Sequence, residues 1–168
     1  MPMSDYVKSL RDRIGNDLLE VPTVSVAVFD DAGAVLMVRG IDDGLWSTPG
    51  GMMEPLETPA DAAVRETWEE TGLYVVPTGI LGVFGGPDCA AEYDNGDRIA
   101  WVATLFAARV VGGVARPDGV ETDAVRYVAR DAWPELPCRT HVPAFLAAAF
   151  DAGDTAWFAA PTWRPPER

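Results

Sequence analysis

The spacing of apolar residues along the chain predicts helices in some segments and strands in others. Near the start of the chain, over about residues 5–18, apolar side chains recur every three or four positions, which is the period of one helix face. The preceding Ser4 can cap this helix by accepting a hydrogen bond from a first-turn N–H group. The apolar stripe consists of Val7, Leu10, Ile14 and Leu18.

Segments rich in β-branched and aromatic residues predict the strands. They cover residues 23–30, 35–40, 75–85, 93–113 and 124–129. The first two are joined by the turn DDAG at residues 30–33. Asn95-Gly96 predicts a type I′ hairpin turn, because that turn needs a positive φ at both central positions. Glycine and proline punctuate residues 40–57, which predicts a long loop.

Two further helices are predicted. The first covers residues 59–71, because Thr58 is a good cap, a proline occupies the first turn and Gly72 is a natural stop. The second is alanine-rich, begins near His141 and ends at Gly153. Hairpin-like strand pairs with interspersed helices favour an α+β or sandwich layout over a regular βαβ repeat.

Composition and charge narrow the possible functions. The chain has 168 residues and is 48% apolar, so we expect one domain over residues 1–168, with a proline- and tryptophan-rich tail over about 154–168. A formal net charge of −13 repels nucleic-acid backbones, so a nucleic-acid polymer is not an expected partner. The first residues are charged where a signal peptide is apolar, and no apolar stretch of about 18 residues occurs. We therefore expect a cytoplasmic protein without a membrane span.

Cysteine and histidine are too few for a zinc site. Cys89 and Cys138 do not form a CxxC pair, and His141 is the one histidine of the sequence, so a Cys/His site would lack ligands. We expect two buried free thiols and a histidine at the start of a helix.

Negative charge is concentrated in RETWEETG, residues 65–72. In a helix, Glu66, Glu69 and Glu70 lie on one face within about 100° of arc. One interpretation is a solvated helix face with an Arg65–Glu69 ion pair. The other is a cation site, since clustered carboxylates beside a glycine-rich loop bind Mg²⁺ or Mn²⁺. Such a cation would also let an acidic protein accept a polyphosphate, and two cations could clamp the attacking and leaving oxygens of an in-line displacement.

The same helix wheel predicts how this helix packs. Val64 and Trp68 lie opposite the glutamates, so we expect the helix to bury that side. Ala62 and Ala63 are expected to keep the acidic face free of bulk.

The segment GMMEPLETPADAAVRETWEETGL, from Gly51 to Leu73, resembles the Nudix box, the signature of the Nudix (MutT-like) hydrolases. The family pattern is G-x5-E-x7-R-E-U-x-E-E-x-G-U, where U is a bulky aliphatic residue, and Glu57 is its first glutamate here. Thr67 departs from the pattern at the first aliphatic position. Because Thr67 lies on the core side of the helix wheel, we expect some loss of packing and no loss of chemistry. Leu56 replaces a glycine that often precedes the first glutamate.

The resemblance implies a fold and a reaction. The fold is an α+β Nudix fold, an α/β/α sandwich around a mixed sheet in which the box forms a loop–helix–loop. The reaction is cleavage of the pyrophosphate in a nucleoside diphosphate linked to another group, X. Water attacks phosphorus, and one to three Mg²⁺ or Mn²⁺ ions assist. Family members are often dimers, so a homodimer is expected.

The resemblance also implies site residues. It assigns metal binding to the box glutamates and to the Gly51 carbonyl, and the orientation of a glutamate to Arg65. Glu57 is either a ligand or part of the supporting shell. Glu121 corresponds to an additional acid that binds metal or acts as a base, with Asp118 and Asp123 as alternatives. The implied metal ligands are thus Gly51, Glu57, Glu66, Glu69, Glu70 and Glu121, and the implied catalytic set is Arg65, Glu66, Glu69, Glu70 and Glu121.

Candidates for substrate contacts are less specific. Arg39 ends a predicted strand near the box and could face a terminal phosphate, or it could be an ordinary solvent-exposed arginine. Four aromatic residues could stack on a base if one face is exposed, or could belong to the core: Trp46, Phe84, Tyr93 and Trp101.

The identity of X stays open at this point. Nucleotide sugars such as ADP-ribose and (deoxy)nucleoside triphosphates, including oxidised ones, both fit the box. A Nudix-fold nucleotide sensor or interaction module without turnover is the alternative function.

Overall fold

The computed structural model of the protein describes residues 4–93 and 95–165. Within these ranges the helices are α1 (Asp5–Ile14), α2 (Pro59–Thr71) and α3 (Val142–Phe150), with short 3₁₀ turns at Pro87–Cys89 and Trp133–Glu135. The strands are β1 (Leu19–Val28), β2 (Val35–Gly40), β3 (Trp46–Ser47), β4 (Gly50–Met52), β5 (Leu73–Phe84), β6 (Ala90–Glu92), β7 (Arg98–Gly113) and β8 (Thr122–Val128).

The strands form two sheets. The larger sheet has the order β4-β1-β7-β5, and β6 also pairs with β7. Strands β1 and β7 are parallel along Leu19–Val28, whereas the other pairs in this sheet are antiparallel. The smaller sheet is antiparallel, in the order β3-β2-β8. The predicted α+β fold with a mixed sheet is confirmed.

The core has two layers because successive strand residues point to opposite faces. Ala27 of β1 and Leu105 of β7 are buried in a cluster with residues of α3. The adjacent Val26 and Phe106 are buried in a second cluster with residues of α2. A helix therefore covers each face, which is the arrangement of an α/β/α sandwich.

Several element boundaries differ from the prediction. Helix α1 ends at Ile14 rather than near residue 18, because Gly15 adopts a positive φ of 58° and its N–H caps the Arg11 carbonyl. Leu18 is consequently exposed. Helix α3 ends at Phe150, before the predicted Gly153. Strands β3 and β4 lie within the predicted loop. They were not predicted because two or three residues give no detectable periodicity.

The predicted hairpin before β7 exists, with a different turn. Gly96 N–H donates to the Tyr93 carbonyl at 2.8 Å, and Tyr93 N–H donates to the Asp97 carbonyl at 2.9 Å. Gly96 supplies a positive φ of 84° after this turn, as in hairpins with three-residue loops. The two-residue type I′ turn predicted at Asn95-Gly96 is therefore wrong.

Beyond α3, the tail runs beside the edge strand β5. Trp157 N–H donates to the Leu81 carbonyl at 2.8 Å, and Val83 N–H donates to the Trp157 carbonyl at 2.9 Å. The Trp157 indole stacks on Phe84 with ring centroids 4.5 Å apart. This packing protects the backbone groups of a sheet edge. No helix in the described part of the chain is long and apolar enough to cross a membrane.

Candidate active site

Helix α2 begins and ends as predicted. Thr58 Oγ1 accepts a hydrogen bond from Asp61 N–H at 3.2 Å, which satisfies one unpaired donor of the first turn. Gly72 closes the helix in the left-handed conformation, with φ 67°, and its N–H donates to the Trp68 carbonyl. These caps fix the helix between the glycine-rich loop and β5.

The buried side of α2 differs from the prediction. Ala62 and Ala63 are fully buried, whereas Trp68 is 50% exposed. The expected packing is wrong for Trp68, whereas Val64 is partly buried and packs against the core cluster on this face of the sheet. Small alanines let the helix approach the sheet closely, so the inward side also carries Glu66 and Glu70, which are both buried. The hydrophobicity of the helix wheel alone could not show this, because it assigns every acid to solvent.

Thr67 lies on the core side of α2, as predicted, and is fully buried. Its hydroxyl donates to the Ala63 carbonyl at 2.7 Å, so the helix itself satisfies this polar group. The departure from the box pattern therefore leaves no buried hydroxyl without a partner.

Arg65 organises the acids around it. Its Nε and Nη2 donate to the two carboxylate oxygens of Glu57, each at 2.9 Å. Its Nη1 donates to Glu66 at 2.8 Å and to Glu69 at 3.1 Å, and Nη2 also donates to the Met52 carbonyl at 3.0 Å. This bidentate fork is the geometry expected of a positioning arginine.

Glu57 is held on both of its oxygens. Besides the Arg65 fork, Oε2 accepts a hydrogen bond from Glu54 N–H at 2.9 Å. The Arg65 hydrogen bond lowers the pKa of Glu57, with the Glu54 N–H acting in the same direction against a smaller effect of burial. This geometry favours a role for Glu57 in positioning Arg65 over a role as a metal ligand.

Glu66 lies directly over Gly51. A Cβ built on Gly51 would lie 2.7 Å from the Glu66 carboxylate, so the absence of a side chain at Gly51 makes room for it. Burial raises the pKa of Glu66 to about 7, and the neighbouring Arg65 opposes that rise. A carboxylate in this position is costly without a cation and is available to bind one.

Glu70 is the most deeply buried acid of the site. Its side chain is buried, and Oε2 accepts one hydrogen bond from Gly50 N–H at 3.0 Å. Burial raises its pKa well above the ordinary value, although the Gly50 N–H opposes the rise. Among the described residues no arginine or lysine forms an ion pair with Glu70. Ionised Glu70 therefore carries a desolvation cost that an added cation would offset.

Glu121 reaches the site from the loop before β8. Asp118 shapes this loop, since its Oδ1 accepts hydrogen bonds from the backbone N–H groups of Val120, Glu121 and Thr122. Thr122 Oγ1 donates to the Glu70 carbonyl at 2.9 Å and ties the loop to α2. Burial raises the pKa of Glu121, and negative charges nearby add to the rise.

The two alternative acids are engaged elsewhere. Asp118 uses its carboxylate on the loop backbone, and Asp123 forms a two-point ion pair with Arg39 at 2.7 and 3.0 Å. Glu121 is thus better placed than Asp118 or Asp123 to act on a bound molecule. The same ion pair occupies Arg39, which would have to leave Asp123 before it could bind a phosphate.

A cleft beside these acids is lined by a positively charged side chain, Arg139, that the sequence did not predict. Glu70, Glu121, Ser47 and Arg139 all line it. Arg139 is held by Asp43, whose Oδ2 accepts from Nε at 2.9 Å, and its charge lowers the pKa of Glu70 against the larger effect of burial. No signal could have identified Arg139, because pairing beside Trp46 brings it here from far along the chain.

The four aromatic candidates have different surroundings. Trp46 is buried beneath the Arg126 guanidinium, 4.3 Å from the ring centroid, and Phe84 is buried between Trp157 and Phe145. Neither exposes a face for a base, so the prediction that these two stack on substrate is wrong. Tyr93 is exposed, whereas Trp101 is partly buried, with its ring nearly perpendicular to that of His141.

The remaining candidates for chemistry are structural. His141 precedes the first residue of α3, as expected, and burial lowers its pKa to about 4, with the Arg139 charge acting in the same direction. Cys89 is a buried free thiol, whereas Cys138 is only partly buried.

The acids around α2 supply the oxygen donors that a hard divalent cation needs. Within residues 4–93 and 95–165, no three acidic, histidine or cysteine side chains already surround one point. The chemistry nevertheless fits Mg²⁺ or Mn²⁺, which prefer carboxylate and carbonyl oxygens. Glu66 and Glu121 each raise the pKa of buried Glu70, so the three acids act on one another electrostatically, and Glu70 and Glu121 line the same cleft.

A family model of the NUDIX domain matches residues 19–146. A MutT-like protein of Streptomyces ambofaciens is 32% identical over 148 residues, which cover 88% of each chain. A Bacillus subtilis (strain 168) protein, whose name proposes 8-oxo-dGTP diphosphatase activity, is 34% identical over 103 residues, 61% of this chain and 62% of that protein. Among solved structures, an ADP-ribose pyrophosphatase of Streptococcus suis 89-1591 superposes with a TM-score of 0.63 at 24% identity and covers 83% of this chain and 96% of its own.

Proposed function

The chain belongs to the NUDIX family of hydrolases, and we propose that it cleaves the pyrophosphate of a nucleoside diphosphate linked to X with the help of Mg²⁺ or Mn²⁺. The observation that carries this proposal is buried Glu70, which lacks an ion-pair partner among the described residues. The charges of Glu66 and Glu121 act on it and raise its pKa further. A buried carboxylate without an ion-pair partner destabilises the folded chain, and a functional role explains its presence.

The cation would be held by Glu66 and Glu70, with Glu69 and the Gly51 carbonyl as further oxygen donors. When bound, it supplies positive charge that offsets the acids and the phosphates and polarises the phosphoryl group. Arg65 keeps Glu66 and Glu69 in position through the fork described above. Glu57 acts by fixing Arg65 rather than by touching substrate.

Glu121 is proposed as the general base. A water molecule attacks phosphorus, its proton passes to the Glu121 carboxylate, and the bond from phosphorus to the bridging oxygen breaks. A base needs a carboxylate with a raised pKa that a water molecule can reach. Glu121 meets both conditions, because it is partly exposed and burial raises its pKa. Arg139, on the same cleft, offers positive charge to the phosphates.

Two substrate classes are proposed. The similar Bacillus protein is named for 8-oxo-dGTP and the similar Streptococcus structure for ADP-ribose, so an oxidised nucleoside triphosphate and a nucleotide sugar are both candidates. Both contain the pyrophosphate unit on which the proposed chemistry acts.

The test is a chromatographic assay of a nucleotide panel that includes ADP-ribose and 8-oxo-dGTP. Product should appear with Mg²⁺ or Mn²⁺ and should be absent with EDTA. A panel that binds to the protein but is never cleaved would instead support the alternative, a NUDIX-fold nucleotide sensor without turnover.

A further inference from the structure

A second, open pocket lies at the C-terminal end of α2. Its cavity volume is about 380 Å³, and Trp68, Glu69, Gly72, Arg116, Pro117 and Asp118 line it. A volume of this order is within the range of small-molecule sites. Neither Trp68 nor Arg116 has a role in the proposed chemistry.

Trp68 offers the pocket an aromatic surface. Its side chain is 50% exposed although it belongs to a well-packed helix, and in the described part of the chain no ring or guanidinium stacks on it. By contrast, the indole of Trp46 is buried beneath Arg126, and Trp157 is stacked on Phe84. An exposed indole beside a cavity can stack on a flat ring.

Arg116 offers the pocket a cation. Within residues 4–93 and 95–165 its guanidinium forms no ion pair, in a protein with a net charge of −13. Its backbone is fixed, since Arg116 N–H donates to the Thr71 carbonyl at 2.9 Å. The side chain passes over Gly72, where an added Cβ would lie 3.2 Å from Arg116 Cγ. Gly72 thus both ends α2 and makes room for the arginine.

The pocket is joined to the reaction centre on two sides. Glu69, one of its walls, is bonded to the Arg65 nitrogen that also holds Glu66. Asp118, another wall, shapes the loop that carries Glu121. Two walls of the pocket therefore belong to the elements that carry Glu66 and Glu121.

We propose that this pocket binds the nucleoside end of the substrate, with Trp68 stacked on the base and Arg116 paired with the phosphate on its ribose. A flat ring beside an anionic group matches an indole face beside a guanidinium. This inference names the subsite of the reaction proposed above and rests on that function for its link to turnover. The binding itself can be tested without turnover.

The experiment follows the tryptophan indole N–H signals of ¹⁵N-labelled full-length protein while adenosine or guanosine 5′-monophosphate is added. The Trp68 signal is assigned from its loss in Trp68→Phe. It should shift saturably with either nucleotide and should not shift with ribose 5-phosphate, which lacks the base. No saturable shift of Trp68 with either nucleotide would overturn the inference.

Affinities of variants, measured by calorimetry with the same nucleotides, add a second criterion. Trp68→Ala and Arg116→Ala should each weaken binding about tenfold, whereas Trp68→Phe, which keeps a ring, should lose much less. Trp163→Ala, which removes an exposed tail indole, is the matched control and should bind like wild type. Equal affinities for Trp68→Ala and Trp163→Ala would contradict the subsite.

Kinetic measurements distinguish a failure of this inference from a failure of the proposed function. If a panel nucleotide is cleaved, Trp68→Ala should raise KM about tenfold and leave kcat within about twofold of wild type. Cleavage with an unchanged KM would refute the subsite alone. Nucleotide binding at Trp68 with no cleavage of any panel member would refute the hydrolase and support the subsite.

Discussion

The metal-free protein should lose stability as pH rises, and Glu66 should account for much of the loss. Burial raises the pKa of Glu66 to about 7 from an ordinary value of 4.5, so its carboxyl is easier to protonate in the folded chain than in the unfolded chain. Folding therefore gains from this group below pH 4.5, and the gain disappears as pH rises through 7.

The magnitude follows from the same shift. Because each pKa unit is worth ~1.36 kcal/mol, the full change is about 3 kcal/mol between pH 4 and pH 8. Glu66→Gln removes the titration, and glutamine Oε1 can still accept the hydrogen bond from Arg65. The free energy of unfolding of Glu66→Gln should therefore exceed that of wild type by a margin that grows with pH and approaches this value.

The assay is urea unfolding in EDTA at several pH values between 4 and 8. Glu69→Gln is the matched control, because Glu69 is exposed and accepts a hydrogen bond from the same Arg65 nitrogen, and at pH 8 it should gain less stability than Glu66→Gln. Added Mg²⁺ should restore wild-type stability at pH 8 by mass action. A constant difference between Glu66→Gln and wild type across this range would refute the reasoning.

Three further changes test other parts of the structure. Glu121→Gln should lower kcat about 100-fold or more while the melting temperature changes little, because a general base is lost from a partly exposed loop. Trp157→Ala should lower the free energy of unfolding by about 1 kcal/mol or more in chemical denaturation, because its indole stacks on buried Phe84. Thr67→Val should leave kcat unchanged and shift stability by less than about 1 kcal/mol, because the Ala63 carbonyl keeps its helical partner.

Each of these has an outcome that contradicts it. Near-wild-type turnover of Glu121→Gln would move the base to another residue. Unchanged stability of Trp157→Ala would mean that the tail does not contribute to the fold in solution, and the predicted homodimer would become the better explanation of its exposed aromatics. A large loss of kcat in Thr67→Val would show that the hydroxyl acts beyond the helix.

Local signals predicted the elements that depend on neighbouring residues. Thr58 and Gly72 marked the ends of α2 correctly because caps are local interactions. Strands β3 and β4 gave no signal, since two or three residues are held in place by partners distant in sequence. The same reason explains Arg139, which reaches the cleft only through pairing beside Trp46.

The acids show what a helix wheel can and cannot tell. It correctly placed Glu66, Glu69 and Glu70 near one another, but it treated charge as a sign of exposure. Glu66 and Glu70 are buried because alanines bring α2 close to the sheet, and Trp68 is exposed as a result. A site with buried charges departs from the rule that charged residues face solvent. Predictions from sequence are expected to fail at such functional sites.

The central claim is that buried Glu70 serves hydrolysis by holding a divalent cation. The most direct test compares kcat of Glu70→Gln and Glu69→Gln in Mg²⁺, on whichever panel nucleotide the wild type cleaves. Glu70→Gln should lose at least about 100-fold, the order expected when charge stabilisation in the transition state is removed, and Glu69→Gln should lose less. Turnover by Glu70→Gln within about tenfold of wild type would contradict the claim.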